Sequence, residues 1–186
     1  MNFGESADYT QQGRNLRLNS YRAAAPTLQR MKTTVSTLLD AKPERVWEEL
    51  QRPALLEYVA APLVAFDPVD LEAFPQRWEE DEYRVAMLLF GVIPLGEQTI
   101  DVSRQRVDDT EGNQSYQLRD GGTGKLVSVW DHLISVRETP DNKTVYTDEV
   151  DVEAGVLTPL VFLFAVVFYR HRHRRWRKLV ENNFEY

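Results

Sequence analysis

No cysteine occurs in the 186 residues, which excludes disulfides, thiolate nucleophiles and cysteine-ligated metals. Histidine is scarce, at three residues. Two of these, His171 and His173, stand two apart in a helical stretch and project about 200° from one another, so they cannot share an ion. No metal or other cofactor is expected. Glycine and proline are modest, at nine each, and no helix follows Gly121-Gly-Thr-Gly124 to turn that cluster into a phosphate cradle. No nucleophile motif, zinc signature, dinucleotide fingerprint or internal repeat is present. The opening, Met1-Asn-Phe-Gly-Glu-Ser-Ala-Asp8, has neither the basic start nor the apolar core of a secretory signal, so a cytoplasmic protein is expected. A net charge of -7 argues against a nucleic-acid partner. The apolar run from Val156 to Tyr169 is interrupted by Thr158 and Pro159 and falls short of the ~20 residues that a bilayer core demands.

That run still carries the strongest structural signal. Thr158 can cap a helix through its hydroxyl, and Pro159 suits the first helical position, where a missing N–H costs nothing. The first half of this helix is apolar all round and reads as buried by its own domain. Tyr169, His173, Trp176 and Val180 then recur on one stripe. The basic block of Arg172, Arg174, Arg175, Arg177 and Lys178 reads as a solvated helix end whose cations complement the helix dipole.

Residues 1 to about 30 are polar, without sustained periodicity, and read as an N-terminal arm; residues 31–186 form the domain. Met31 to Asp40 alternates as a strand. Two short helices follow, Ala41 to Leu50 and Pro53 to Ala61, divided at Arg52-Pro53. Six further strands are expected: 63–69, 82–92, 97–108, 114–120, 125–138 and 143–153. Their turns are Pro94-Leu-Gly96, Thr110 to Asn113, Gly121 to Gly124 and Pro140 to Asn142. An acidic loop spans Pro68 to Asp81. The expected architecture is α+β: a curved, seven-stranded antiparallel sheet with two short helices after its first strand and a long C-terminal helix across the concave face.

Several segments resemble the helix-grip, or START/Bet v 1-like (SRPBCC), superfamily, and more closely its polyketide cyclase-like branch. Ala41-Lys-Pro43-Glu44-Arg-Val46-Trp47 resembles the lead into that family's first helix. Trp130-Asp-His132 and Tyr146-Thr-Asp148-Glu-Val150 are similar to its last strand pair, and Gly155-Val-Leu-Thr-Pro-Leu to the start of its final helix. The resemblance covers residues 31 to 183. It implies a deep cavity between sheet and helix that holds a hydrophobic or amphipathic small molecule; some relatives catalyse and many only bind.

Candidate ligand contacts follow from strand alternation. One register of the last two strands sets Ile134 opposite Asp148, His132 opposite Val150 and Trp130 opposite Val152, which gathers Trp130, His132, Ile134, Tyr146, Asp148 and Val150 on the more apolar face. A slip of one residue turns the set to solvent. Phe162, Tyr169 and His173 on the long helix complete the expected ligand-binding set. His132 and Asp148 are diagonal neighbours on that face, an imidazole and an orienting carboxylate, which would suit a cyclase, dehydratase or hydrolase as an acid/base pair; the same pair also serves as a satisfied buried contact. Tyr83 and Tyr116 offer further hydroxyls, and Arg104 and Arg106 share a strand face with Ile100 and Val102. A third reading is a peripheral lipid-handling protein in which the basic helix end and the arm approach anionic headgroups.

Overall fold

Three prolines set where the helices begin. Pro43, Pro53 and Pro159 occupy the first turns of α1 (Pro43–Leu50), α2 (Pro53–Ala60) and α3 (Thr158–Glu181), where the proline ring fits the required φ and no backbone hydrogen bond is lost. The computed structural model describes residues 30–108, 114–124 and 127–186. The expected arm and the turn at Thr110 to Asn113 lie outside the described residues.

Seven strands, β1 (Met31–Leu39), β2 (Val64–Pro68), β3 (Glu82–Leu89), β4 (Ile93–Asp108), β5 (Gln114–Gly124), β6 (Val129–Glu138) and β7 (Thr144–Glu153), form one sheet. Their order is β1-β7-β6-β5-β4-β3-β2, with every neighbouring pair antiparallel. Alternation decides which face is covered. His132, Ile134 and Val136 of β6 and Tyr146, Asp148, Val150 and Val152 of β7 are buried on the same face. Helix α3 covers that face, packing on β1, β7 and α2. Trp176 and Leu179 anchor its second half in a core shared with α1, α2 and the middle strands, while Ala165, Phe168 and Tyr169 anchor its first half against Val150 and Val152.

Two expected turns are strand instead. Pro94 to Gly96 lies within β4; the chain reverses earlier, at Phe90 and Gly91, whose φ values of 53° and 71° supply the left-handed geometry of a tight reversal. A register shift between Met87 and Leu88 absorbs the difference. Gly121 and Gly122 likewise continue β5. There the glycine allows close approach of strands, since a Cβ on Gly122 would sit 3.2 Å from the Thr99 carbonyl oxygen and 2.2 Å from Gln98 Nε2.

The Thr158 hydroxyl does not cap α3. It accepts from the Ala154 N–H at 2.9 Å and donates to the Gly155 carbonyl at 2.7 Å, fastening the single 3₁₀ turn Gly155–Leu157 that leads into the helix. Nor is the first half of α3 enclosed all round. Leu160, Leu163 and Val167 are 64%, 59% and 52% exposed; of the two short helices, α2 is the one that packs extensively on α3. Gly155–Glu181 is long and apolar enough by composition to cross a membrane, with 28% of its most apolar window buried.

Candidate functional site

Between the concave face of the sheet and α3 lies a cavity of about 420 Å³, within the usual size range of small-molecule sites. Apolar side chains from every layer line it, among them Leu55, Phe66, Ile100, Leu118, Ile134 and Phe168. Leu157, Leu160, Val161 and Phe164 of α3, with Leu89 and Leu95 beside the β3–β4 reversal, complete the apolar walls. Polar lining is sparse. Asp120, His132 and Arg172 face the cavity, together with the exposed or half-exposed Arg52, Glu97 and Gln98.

Strand pairing sets out the polar wall. Asp120 of β5 stands directly opposite His132 of β6, which stands opposite Val150 of β7. The pairings Trp130 with Val152 and Ile134 with Asp148 also hold, so the β6–β7 register is the one that strand alternation suggests. Behind His132 a buried cluster converges on Asp148. Its Oδ1 accepts from His132 Nε2 at 2.9 Å and from the Tyr146 hydroxyl at 2.9 Å; its Oδ2 accepts from His173 Nε2 at 3.0 Å and lies 3.4 Å from Arg172 Nε. Arg172 Nε and Nη2 both donate to the Tyr146 oxygen, at 3.1 and 3.0 Å. Asp148 and Tyr146 are wholly buried.

These contacts fix the protonation pattern. Burial would raise the Asp148 carboxyl, yet the Arg172 charge and the two histidine hydrogen bonds hold it well below the usual carboxylate range. An ionised carboxylate only accepts, so His132 and His173 both carry hydrogen on Nε2. Burial lowers the His132 pKa, against the opposing pull of Asp148, so the imidazole is neutral with its lone pair on Nδ1. Burial also raises Tyr146 and Tyr169, both of which stay protonated. Asp120 behaves in the opposite way to Asp148. Burial pushes it up to about 7, with Asp101 and Asp131 adding repulsion and the Asp101 N–H and the Arg172 charge opposing. Its Oδ1 accepts that N–H at 3.2 Å, where the β4–β5 ladder lapses between Thr99 and Val102.

Of the expected ligand contacts, Trp130, His132, Ile134 and Tyr169 line the cavity. Tyr146, Asp148 and His173 sit in the layer behind, and Val150 and Phe162 belong to the core beneath the first half of α3. Tyr83 accepts from the Glu79 N–H, Tyr116 stacks on Trp47, and Arg104 reaches Gln51 and Glu80. The side chain of Arg106 lies outside the described residues. Strand and helix reasoning missed two contributors. Arg172 is 4% exposed, buried and not a solvated end, and its signal was the spacing Tyr169-Arg172-His173-Trp176 on one helix face. Asp120 shares the alternating face of Tyr116 and Leu118, a pattern hidden by reading the glycines beside it as a turn. His171 Nε2 donates to the Ala61 carbonyl oxygen at 2.8 Å, while His173 Nε2 turns to Asp148.

Comparison with solved structures places this frame among helix-grip proteins. The Zhui aromatase/cyclase of Streptomyces sp. R1128 superposes with a TM-score of 0.55 at 12% identity, over 84% of this chain and 97% of that one. A norcoclaurine synthase of Thalictrum flavum gives 0.53 at 13% identity, covering 84% and 98%, and a START superfamily protein of Mycobacterium smegmatis 0.52 at 13%, covering 82% and 97%. At such identities the likeness establishes the fold. A search of curated proteins by sequence returns no significant match. The profile of one family, described as a domain of unknown function (DUF8410), matches residues 37–180. The chain therefore belongs to the DUF8410 family, and its fold is the helix-grip fold of the START/Bet v 1-like superfamily.

Proposed function

We propose that the protein binds a hydrophobic or amphipathic small molecule in the cavity between sheet and α3. One observation carries the reading: about 420 Å³ of space is walled mainly by apolar side chains, and its few polar groups include Asp120 and His132 paired across two strands. Apolar burial supplies affinity, at about 25 cal/mol per Å² removed from water. Asp120 and His132 supply orientation by hydrogen bonding a polar end of the ligand. Native mass spectrometry of the purified protein tests this. A small molecule that leaves on denaturation is expected; protein that carries none, and takes up none from a panel of apolar and amphipathic compounds, contradicts it.

A second reading, acid/base catalysis, is favoured by the arrangement behind His132. An ionised, solvent-free Asp148 fixes the imidazole in one tautomer with a basic Nδ1, the relation that a general base requires. The names of two similar structures, an aromatase/cyclase and a norcoclaurine synthase, are those of enzymes. Asp148 would then be a positioning residue and His132 the group that touches substrate. His132→Ala separates the readings, because it abolishes turnover in an enzyme and only weakens a binder.

A further inference from the structure

Two segments without a single charged residue, Met87–Gly96 and Ala154–Tyr169, border the same opening. Leu89 and Leu95 from the first segment and Leu157 and Leu160 from the second line the cavity. Leu157 and Leu160 are at the same time 42% and 64% exposed, so the cavity meets solvent between the start of α3 and the β3–β4 reversal. Around that opening the apolar surface continues outward. Val92 at the reversal and Val156 before α3 are 74% and 81% exposed, and Leu163 and Val167 extend the stripe along the helix. Large exposed apolar patches are uncommon on monomers and mark contact surfaces.

The outward face of α3 then changes character along its length. Leu160, Leu163 and Val167 are followed at helical spacing by the exposed Arg170, Arg174 and Arg177. The cations begin at Arg170, one turn beyond Val167, so a cationic belt directly follows the apolar turns, the distribution that suits an anionic bilayer surface. In a chain of net charge -7, attraction to an anionic surface is local to this face.

We infer that the mouth of the cavity is a membrane-docking face, in which the β3–β4 tip and the first turns of α3 enter the acyl boundary while Arg170, Arg174 and Arg177 meet anionic headgroups. The opening then faces acyl chains, and an apolar ligand passes between bilayer and cavity without crossing water. This last step rests on the ligand-binding reading; the docking face does not.

Sedimentation with phosphatidylcholine vesicles, with and without phosphatidylserine, tests the docking in the intact chain. Binding is expected to the phosphatidylserine vesicles and to fall with added salt. Leu163→Asp combined with Val92→Asp should weaken it on the order of tenfold or more, with an unchanged melting temperature because both sites are exposed. Arg170→Glu with Arg174→Glu should remove the preference for phosphatidylserine. Failure of the intact protein to bind at low salt overturns the inference, as does binding that the Leu163→Asp, Val92→Asp variant retains. Two further results overturn it in favour of another occupant. A stable dimer in light scattering that Leu163→Asp dissociates would assign the face to a second copy. Vesicle binding seen only after removal of residues 1–29 would assign it to the N-terminal segment. An apolar dye titrated into the intact protein without vesicles reads the cavity separately, so docking and ligand binding fail independently.

Discussion

His132 and Asp148 meet directly across a diagonal of the β6–β7 pair, Nε2 to Oδ1 at 2.9 Å. The imidazole stands at the cavity wall, and the carboxylate lies one layer behind, out of reach of solvent. The same carboxylate holds Tyr146, His173 and Arg172, so β6, β7 and α3 are joined at one point. The polar wall is therefore rigid because its charge is satisfied from three elements.

Asp148→Asn should be among the costliest single changes to stability. It leaves the buried Arg172 cation without its counter-charge, a loss of about 3–5 kcal/mol. Denaturant unfolding measures this directly. Adding Arg172→Met should recover part of the loss, since the cycle then removes both charges. A single-variant loss below about 1 kcal/mol would show that the cluster does not bear on the fold.

The pH dependence of stability should separate Asp120 from its neighbours. Its carboxyl titrates near 3.8 when unfolded and at about 7 when folded, so the folded state binds the extra proton between those values. Its contribution is fully present below about 3.8 and is lost as the pH rises through about 7. His132 acts in the reverse sense: its folded pKa is lowered from 6.5, so its contribution is present above that value and declines as the pH falls below it. Relative to the intact protein, Asp120→Asn should therefore gain stability as the pH rises from about 4 to about 7. A constant difference across that window contradicts the assignment.

Two residues on α3 should respond oppositely to the same substitution. Phe168 is 6% exposed and packs edge-on to Tyr169, so Phe168→Asp buries an unpaired charge and should unfold the protein. Leu163 faces solvent, and Leu163→Asp should melt within a few degrees of the intact chain. Circular dichroism melts of both variants check the orientation of the helix.

Gly122→Ala should destabilise by about 1–3 kcal/mol, as overpacking does. The added methyl meets the Thr99 carbonyl oxygen at 3.2 Å, and moving the Gln98 side chain aside does not relieve that backbone contact. Chemical denaturation compared with Gly121→Ala, whose nearest new neighbour is Asp101 Oδ2 at 3.8 Å, isolates the effect.

The frame was legible because its signals are local. Pro43, Pro53 and Pro159 mark helix starts, and strict alternation in Val129–Glu138 and Thr144–Glu153 fixes the covered face and register. Thr158 misled because a hydroxyl beside a helix start can bond to the preceding turn as easily as cap the helix. The glycines misled for a related reason: Gly122 permits close packing of strands, whereas Gly91 permits a reversal, and composition does not distinguish the two uses. Arg172 escaped notice because its charge suits solvent; burial is tolerated only through a carboxylate and a phenol that β7 brings from far along the chain. The open mouth was likewise invisible. Periodicity shows that the first half of α3 is apolar, but not which side the sheet and α2 leave uncovered.

The most direct test of the cavity's role is titration of an apolar fluorescent dye into protein stripped of copurified molecules, beside a variant that fills the space. Val161 is half-buried, lines the cavity and belongs to the first half of α3. Val161→Trp should lower dye affinity on the order of tenfold or more while the melting temperature stays near that of the intact protein, and Glu149→Gln on the outer face should leave affinity unchanged. Saturable dye binding that Val161→Trp removes is the predicted result. Dye that fails to bind the folded protein, or binds Val161→Trp as tightly as the intact chain, would contradict the account.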